Sequence, residues 1–115
     1  MSYVAGDIVE IDLGVPVGSE AGFVRPAVIV SARDWLNRNP STVFAVPLTT
    51  TKRPYPSHVE IPADASNGLP HTSYAQVELL RSISVSRVAT SQGNAGPAVV
   101  SALRDIASLL LDLAP

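Results

Sequence analysis

Polar and apolar residues alternate near the start of the chain. Across residues 7–13, Val9, Ile11 and Leu13 fall on one side of an extended segment and Glu10 and Asp12 on the other. That two-residue period predicts a strand with one face buried. Residues 14–24 contain three glycines and a proline and predict a long loop. Residues 26–31, P-A-V-I-V-S, are a short β-branched run, read as a central strand opened by Pro26, since proline is tolerated at a strand's first position. Residues 33–39 lose the alternation and predict one or two helical turns. Residues 42–49, T-V-F-A-V-P-L-T, predict another strand, and Pro47, which has no N–H to give a ladder, is expected near its end or on a sheet edge. After a second loop at 50–56, Val59 and Ile61 alternate with His58 and Glu60. Residues 62–72 are turn-rich, with Asn67-Gly68 as the reversal. Residues 73–77 and 79–89 supply two or three further short strands.

The period changes at the C-terminus. Val99, Leu103, Ile106, Leu110 and Leu113 are spaced by three and four residues, one apolar stripe on a helix of about four turns at 3.6 residues each. Pro97 suits the first turn of that helix, where a missing N–H costs nothing. Leu109 and Leu111 lie off the stripe and are read as a widened buried face. Short strands followed by a terminal amphipathic helix predict a mainly β protein, a small antiparallel barrel closed by that helix.

With 115 residues the chain is read as one domain, 1–115. Nearly half the residues are apolar, enough to fill a core, and a domain this small gains from pairing with a second copy. The absence of cysteine excludes disulfides, thiolate metal sites and a cysteine nucleophile, and is compatible with the cytoplasm. No basic run followed by an apolar core opens the chain, and no apolar run approaches the roughly 20 residues a bilayer demands. Net charge is −2, which does not mark a nucleic-acid binder. Its distribution is more telling. Residues 1–20 carry four acids and no base, whereas 21–53 carry Arg25, Arg33, Arg38, Lys52 and Arg53 against Asp34 alone, a local balance of +4. Solvated loop charges or a local basic patch both fit that distribution.

The usual catalytic sets are missing. His58 and His71 are thirteen residues apart, without the spacing of metal ligands. There is no phosphate-cradling glycine motif after a strand and no G-x-S-x-G elbow. Polar residues concentrate instead in two loops beside strands: Gly18-Ser19-Glu20 through Arg25-Pro26, and Pro47-Leu48-Thr49 through Lys52-Arg53. By spacing alone Arg25 is a surface arginine and the threonines are turn residues.

In their order along the chain these pieces resemble the MazF/PemK/Kid toxins over nearly the whole length. The matching fragments are Gly6-Asp7-Ile8-Val9 with Asp12-Leu13, Gly18-Ser19-Glu20, Arg25-Pro26 with the apolar strand to Ser31, and Asn37-Arg38. They continue with Val46-Pro47-Leu48-Thr49, Pro56 to Ile61, Gly68-Leu69, Ser73, Glu78, Arg81 and the terminal helix. The resemblance implies an SH3-like β-barrel of MazF/CcdB type, a homodimer, endoribonuclease activity on mRNA without a cofactor, and control by a MazE-like antitoxin over the RNA site. It implies Arg25 and Thr49 as the catalytic pair and Ser19, Glu20 and Glu78 in the RNA groove. Members often carry Gln after the acidic residue matching Glu78, where this chain has Leu79, so any sequence preference is not carried over.

The implied chemistry suits these residue types. RNA carries its own nucleophile, the 2′-hydroxyl, whose attack on the adjacent phosphorus leaves a 2′,3′-cyclic phosphate and a 5′-hydroxyl. Charge gathering on the phosphoryl oxygens can be met by a guanidinium fork and a hydroxyl donor. Arginine stays protonated and is a poor base. Glu20, a water and His58 are each open as proton acceptor, and His58 also reads as a solvated strand residue beside Glu60. Single strands expose their bases, so Phe23 and Tyr55 are stacking candidates, and Lys52, Arg53 and His58 are candidate RNA contacts. Trp35 is assigned to the core. Two other classes compete: a CcdB-like poison that traps gyrase by binding, and a catalytically silent barrel that only binds antitoxin or RNA.

Overall fold

The computed structural model describes residues 2–113. It contains strands β1 (Asp7–Asp12), β2 (Val24–Ile29), β3 (Thr42–Thr49), β4 (His58–Ile61), β5 (Ser73–Gln76), β6 (Arg81–Ser84) and β7 (Val88–Asn94). Two helices, α1 (Arg33–Leu36) and α2 (Pro97–Leu110), and two single-turn 3-10 segments, Val77–Leu79 and Val85–Arg87, complete it. The strands pair antiparallel in the order β4-β5-β3-β2-β1-β7, with β6 also on β3. The expected mainly antiparallel architecture with a C-terminal helix is therefore present. No ladder joins β4 to β7, so strand pairing does not close the circuit. A turn spans part of that gap, where the Asn94 N–H donates to the Ser66 carbonyl at 2.9 Å.

The alternation in the central strands feeds two cores. Val9, Ile11, Ala27, Ile29, Val43 and Ala45 point to one, which Leu36 of α1, Ile83 and Val88 complete. Ile8, Val28, Val46 and Leu48 point to the other, with Ile61, Ala75, Val77 and Leu103 of α2. Strands covered on both faces are long apolar runs, which is why β2 and β3 were legible. Glu10 and Asp12 stay exposed as their alternation requires.

Pro26 departs from expectation, whereas Pro47 lies two residues before the end of β3, near a strand end as expected. β2 begins at Val24, so Pro26 is its third residue rather than its first, and the β2–β3 ladder starts only after it, at Ala27. Pro47 lies inside the central strand β3. The ladder to β6 ends at Ala45 and that to β5 begins at Leu48, so the missing N–H falls where β3 changes partners. β7 continues to Asn94, beyond the expected strand, because it pairs with β1 through its backbone while most of its side chains face solvent.

Helix α2 starts at Pro97, as its sequence predicts, and seats Val100 and Leu103. Arg104 ties it to the end of β2, donating from Nε to the Val30 carbonyl at 3.1 Å and from Nη2 to the Ser31 carbonyl at 3.0 Å. The widened buried face at its end is not there. Leu109 is 79% exposed, and Leu110, Leu111 and Leu113 are exposed too, so the second half of the stripe meets no core in this chain. Trp35 is also not core: its ring is partly exposed, with Nε1 donating to the Thr42 carbonyl at 3.2 Å. Among the described residues, no helix is long and apolar enough to cross a membrane.

Candidate active site

Arg25 and Thr49 lie on neighbouring strands. The β2–β3 register pairs Ala27 with Pro47; carried two residues further it sets Arg25 opposite Thr49. Both line an open cavity of about 650 Å³ together with Ser19, Glu20, Arg53 and Glu78, and with Tyr55, Gln76 and Leu79. Seven of the ten residues that the sequence and the resemblance nominated, Tyr55 among them, thus meet in one depression, drawn from two loops, two strands and a 3-10 turn.

The two central side chains are held in useful ways. Arg25 is half-buried, and its Nε donates to the Gly22 carbonyl at 3.1 Å. That bond fixes the plane of the guanidinium and leaves both terminal nitrogens for a ligand. Gly22 is itself a close-packed position: a Cβ there would lie 2.3 Å from the Pro16 ring. The loop that carries Ser19 and Glu20 therefore folds tightly onto the residue that anchors Arg25. Thr49 Oγ1 accepts the Thr51 N–H at 3.2 Å, which leaves its own hydroxyl proton to donate elsewhere.

The two carboxylates differ. Glu20 is exposed; its Oε1 accepts the Val17 N–H at 2.9 Å. Glu78 has both oxygens engaged, Oε1 by Ser57 Oγ at 2.8 Å and Oε2 by His58 Nε2 at 2.9 Å. Burial pushes the Glu78 carboxyl up, but the hydrogen bonds from His58 and Ser57, its own backbone N–H and the charge of His58 outweigh it, so its pKa lies below the ordinary glutamate value of 4.5. An ionised carboxylate only accepts, so Nε2 of His58 carries the proton of that pair.

His58 is not the solvated residue its alternation with Glu60 predicted. Its side chain is only 3% exposed, covered from one side by Tyr55, whose ring meets it edge-on at 5.0 Å. It does not line the cavity and acts on it through Glu78. Phe23 and Lys52 are exposed but lie outside the lining. Phe23 adopts a left-handed backbone (φ 60°), with its carbonyl accepting the Leu13 N–H at 2.9 Å. The basic stretch does not gather at the site either: Arg25 and Arg53 face Glu20 and Glu78, and the cavity is balanced in charge. Sequence reasoning missed Gln76, which is buried at the end of β5; no motif or period marks a single amide in a short strand.

An arginine fork, a free hydroxyl and two carboxylates thus surround one open cleft. Residues 5–111 match the model of the PemK-like, MazF-like toxins of type II toxin–antitoxin systems, and the chain belongs to that family. It is 34% identical over 114 residues to Endoribonuclease MazF9 of Mycobacterium tuberculosis, covering 94% of this chain and 95% of that protein. Its fold is similar to that of MazF from Deinococcus radiodurans, with TM-score 0.82 and 26% identity over 98% of this chain and 99% of the other. A Mycobacterial endoribonuclease in complex with its cognate antitoxin shares the fold at TM-score 0.77, with 24% identity over 99% of each chain.

Proposed function

We propose that this chain is the ribonuclease toxin of its pair, cutting single-stranded RNA without a metal. The observation that carries the reading is the Arg25 guanidinium, anchored through Nε at the wall of a cavity it shares with Thr49. The 2′-oxygen of the substrate attacks the adjacent phosphorus, the bond from phosphorus to the 5′-oxygen breaks as the departing oxygen takes a proton from water, and the products are a 2′,3′-cyclic phosphate and a 5′-hydroxyl. Arg25 meets the charge that builds on the phosphoryl oxygens with its two free nitrogens, and Thr49 donates its hydroxyl to a further oxygen. The 2′-hydroxyl proton goes to a carboxylate. Glu78 has both oxygens committed, whereas Glu20 has one bonded oxygen and sits at the rim, which favours Glu20 as acceptor. Ser19, Arg53 and Tyr55 hold the strand across the cleft.

Two assembly features belong to the same reading. The antitoxin of the pair covers this groove, and the exposed leucines at the end of α2 give a second copy an apolar surface to cover in a homodimer. The RNA substrate assigns the activity to the cytoplasm.

The test is cleavage of an end-labelled single-stranded RNA in EDTA. Cyclic-phosphate and 5′-hydroxyl ends are expected, with Arg25→Ala slower by about a hundredfold or more. Cleavage that needs a divalent ion, or an Arg25→Ala protein as fast as the parent, would sink the assignment.

A further inference from the structure

We infer that Gln76 is a specificity-determining residue: its carboxamide reads the hydrogen-bonding edge of an RNA base held beside Arg25 and Thr49. The inference rests on the ribonuclease reading above and adds to it the residue that selects the substrate.

Gln76 ends β5 and lines the same cavity as Arg25 and Thr49, two residues before Glu78. It is only 6% exposed, and its Oε1 is fully buried with no hydrogen-bond partner. A buried amide without a partner is unfavourable, and such groups in folded proteins call for a reason. Ser57 Oγ and His58 Nε2 are both engaged on Glu78. His58, its cross-strand neighbour in the β4–β5 register, holds the other buried unpartnered atom, Nδ1. In the neutral ring with its proton on Nε2, that nitrogen is an acceptor and offers the Gln76 carbonyl nothing.

The chemistry of the cavity divides accordingly. Arg25 and Arg53 are charged and match phosphates, which are the same in every nucleotide. Tyr55 and Leu79 offer flat or apolar surface to the face of a base, and every base has such a face. Gln76 is uncharged and carries a donor and an acceptor side by side. Rotation of its terminal amide brings either one to the cavity floor. Among these five residues, only it sets an uncharged donor and acceptor side by side, the pattern that pairs with a base edge presenting both.

The test compares the parent with Gln76→Leu, Gln76→Met and Gln76→Glu on a randomised single-stranded RNA pool, mapping cut ends and measuring kcat/KM. Leu and Met remove the amide, and Met keeps the volume, so at least one neutral variant is expected to fold. Both are expected to keep cutting, with preference relaxed at one nucleotide position and kcat/KM on the parent's preferred site lower by about ten- to a hundredfold. Glu, an acceptor only, is expected to redirect that position towards bases presenting an amino group. Variants that cut with the parent's distribution of sites would overturn the inference. So would a change confined to the pH profile of cleavage, since that would assign Gln76 to His58 rather than to RNA. A parent that cuts no member of the pool overturns the ribonuclease reading itself, an outcome distinct from either.

Discussion

At Glu78 two adjacent residues from far along the chain meet on one carboxylate. Ser57 and His58 reach it across about twenty positions of chain, and the imidazole that bonds Oε2 is itself buried. The depressed pKa has a consequence of definite sign. A group whose folded pKa lies below its unfolded value stabilises the protein above the unfolded value and stops doing so as pH falls through the folded one. The parent should therefore be more stable than Glu78→Gln near neutral pH. That advantage should shrink below pH 4.5 and vanish once the folded carboxyl is protonated. Melting temperatures of the two proteins across an acid series would show it; a constant difference would mean that the carboxylate's charge is not what His58 and Ser57 stabilise. The same cluster shows where sequence reading stops. The period of β4 pairs His58 with Glu60 on an outward face, but the 3-10 turn after β5 folds Glu78 back over it, and no local pattern encodes a cover that arrives from twenty residues away. Arg25 and Thr49 were legible through motif order, because each is fixed by its own strand and loop. Gln76 was not, because what distinguishes it is a hydrogen bond it lacks.

Among the elements, those built on a strong period were the readable ones. β1, β3 and α2 follow their two- and 3.6-residue patterns nearly to the residue, since their apolar positions are what the cores consume. β7 runs past the expected strand because Ala89 to Asn94 offers no apolar alternation and holds its place by backbone pairing to β1. The turn at 64–69 is specified differently, by polar side chains. Asn67 accepts the Asp64 and Leu69 N–H groups at 3.1 and 3.0 Å and donates to the Pro62 carbonyl at 2.8 Å. Gly68 then takes φ +67°, where a Cβ would stand 2.4 Å from the Gln92 carbonyl oxygen. Gly68→Ala should lower stability by about 1–3 kcal/mol, from left-handed strain and the clash together. Gly18→Ala, at φ +59° in open space, should cost less, about 1 kcal/mol. Denaturant midpoints of the two variants compare them directly. Equal losses would mean that the approach of this turn to β7 carries no energy of its own.

For the molecule as a whole, the end of α2 is the surface least explained by the chain's own packing. The stripe predicted from sequence is real in its spacing, yet Leu110 and Leu113 are exposed beside Leu109 and Leu111. The period of a helix reports that a face will be covered and is silent about which chain covers it. If a second copy does, Leu109→Asp combined with Leu110→Asp should halve the mass seen by sedimentation while leaving the monomer's fold, read by circular dichroism, unchanged. A double variant with the parent's mass would exclude this surface from the dimer.

The cavity also carries a consequence for synthesis. Its lining runs from Ser19 to Leu79, and β5, which brings Gln76 and leads to Glu78, pairs with β3 only once both have been made. A chain still on the ribosome carries Arg25 and Thr49 early but lacks the wall that faces them. On the proposed ribonuclease reading, the cleft is complete only after the chain has been made through Leu79, so much of its own message is read before the product could cut one.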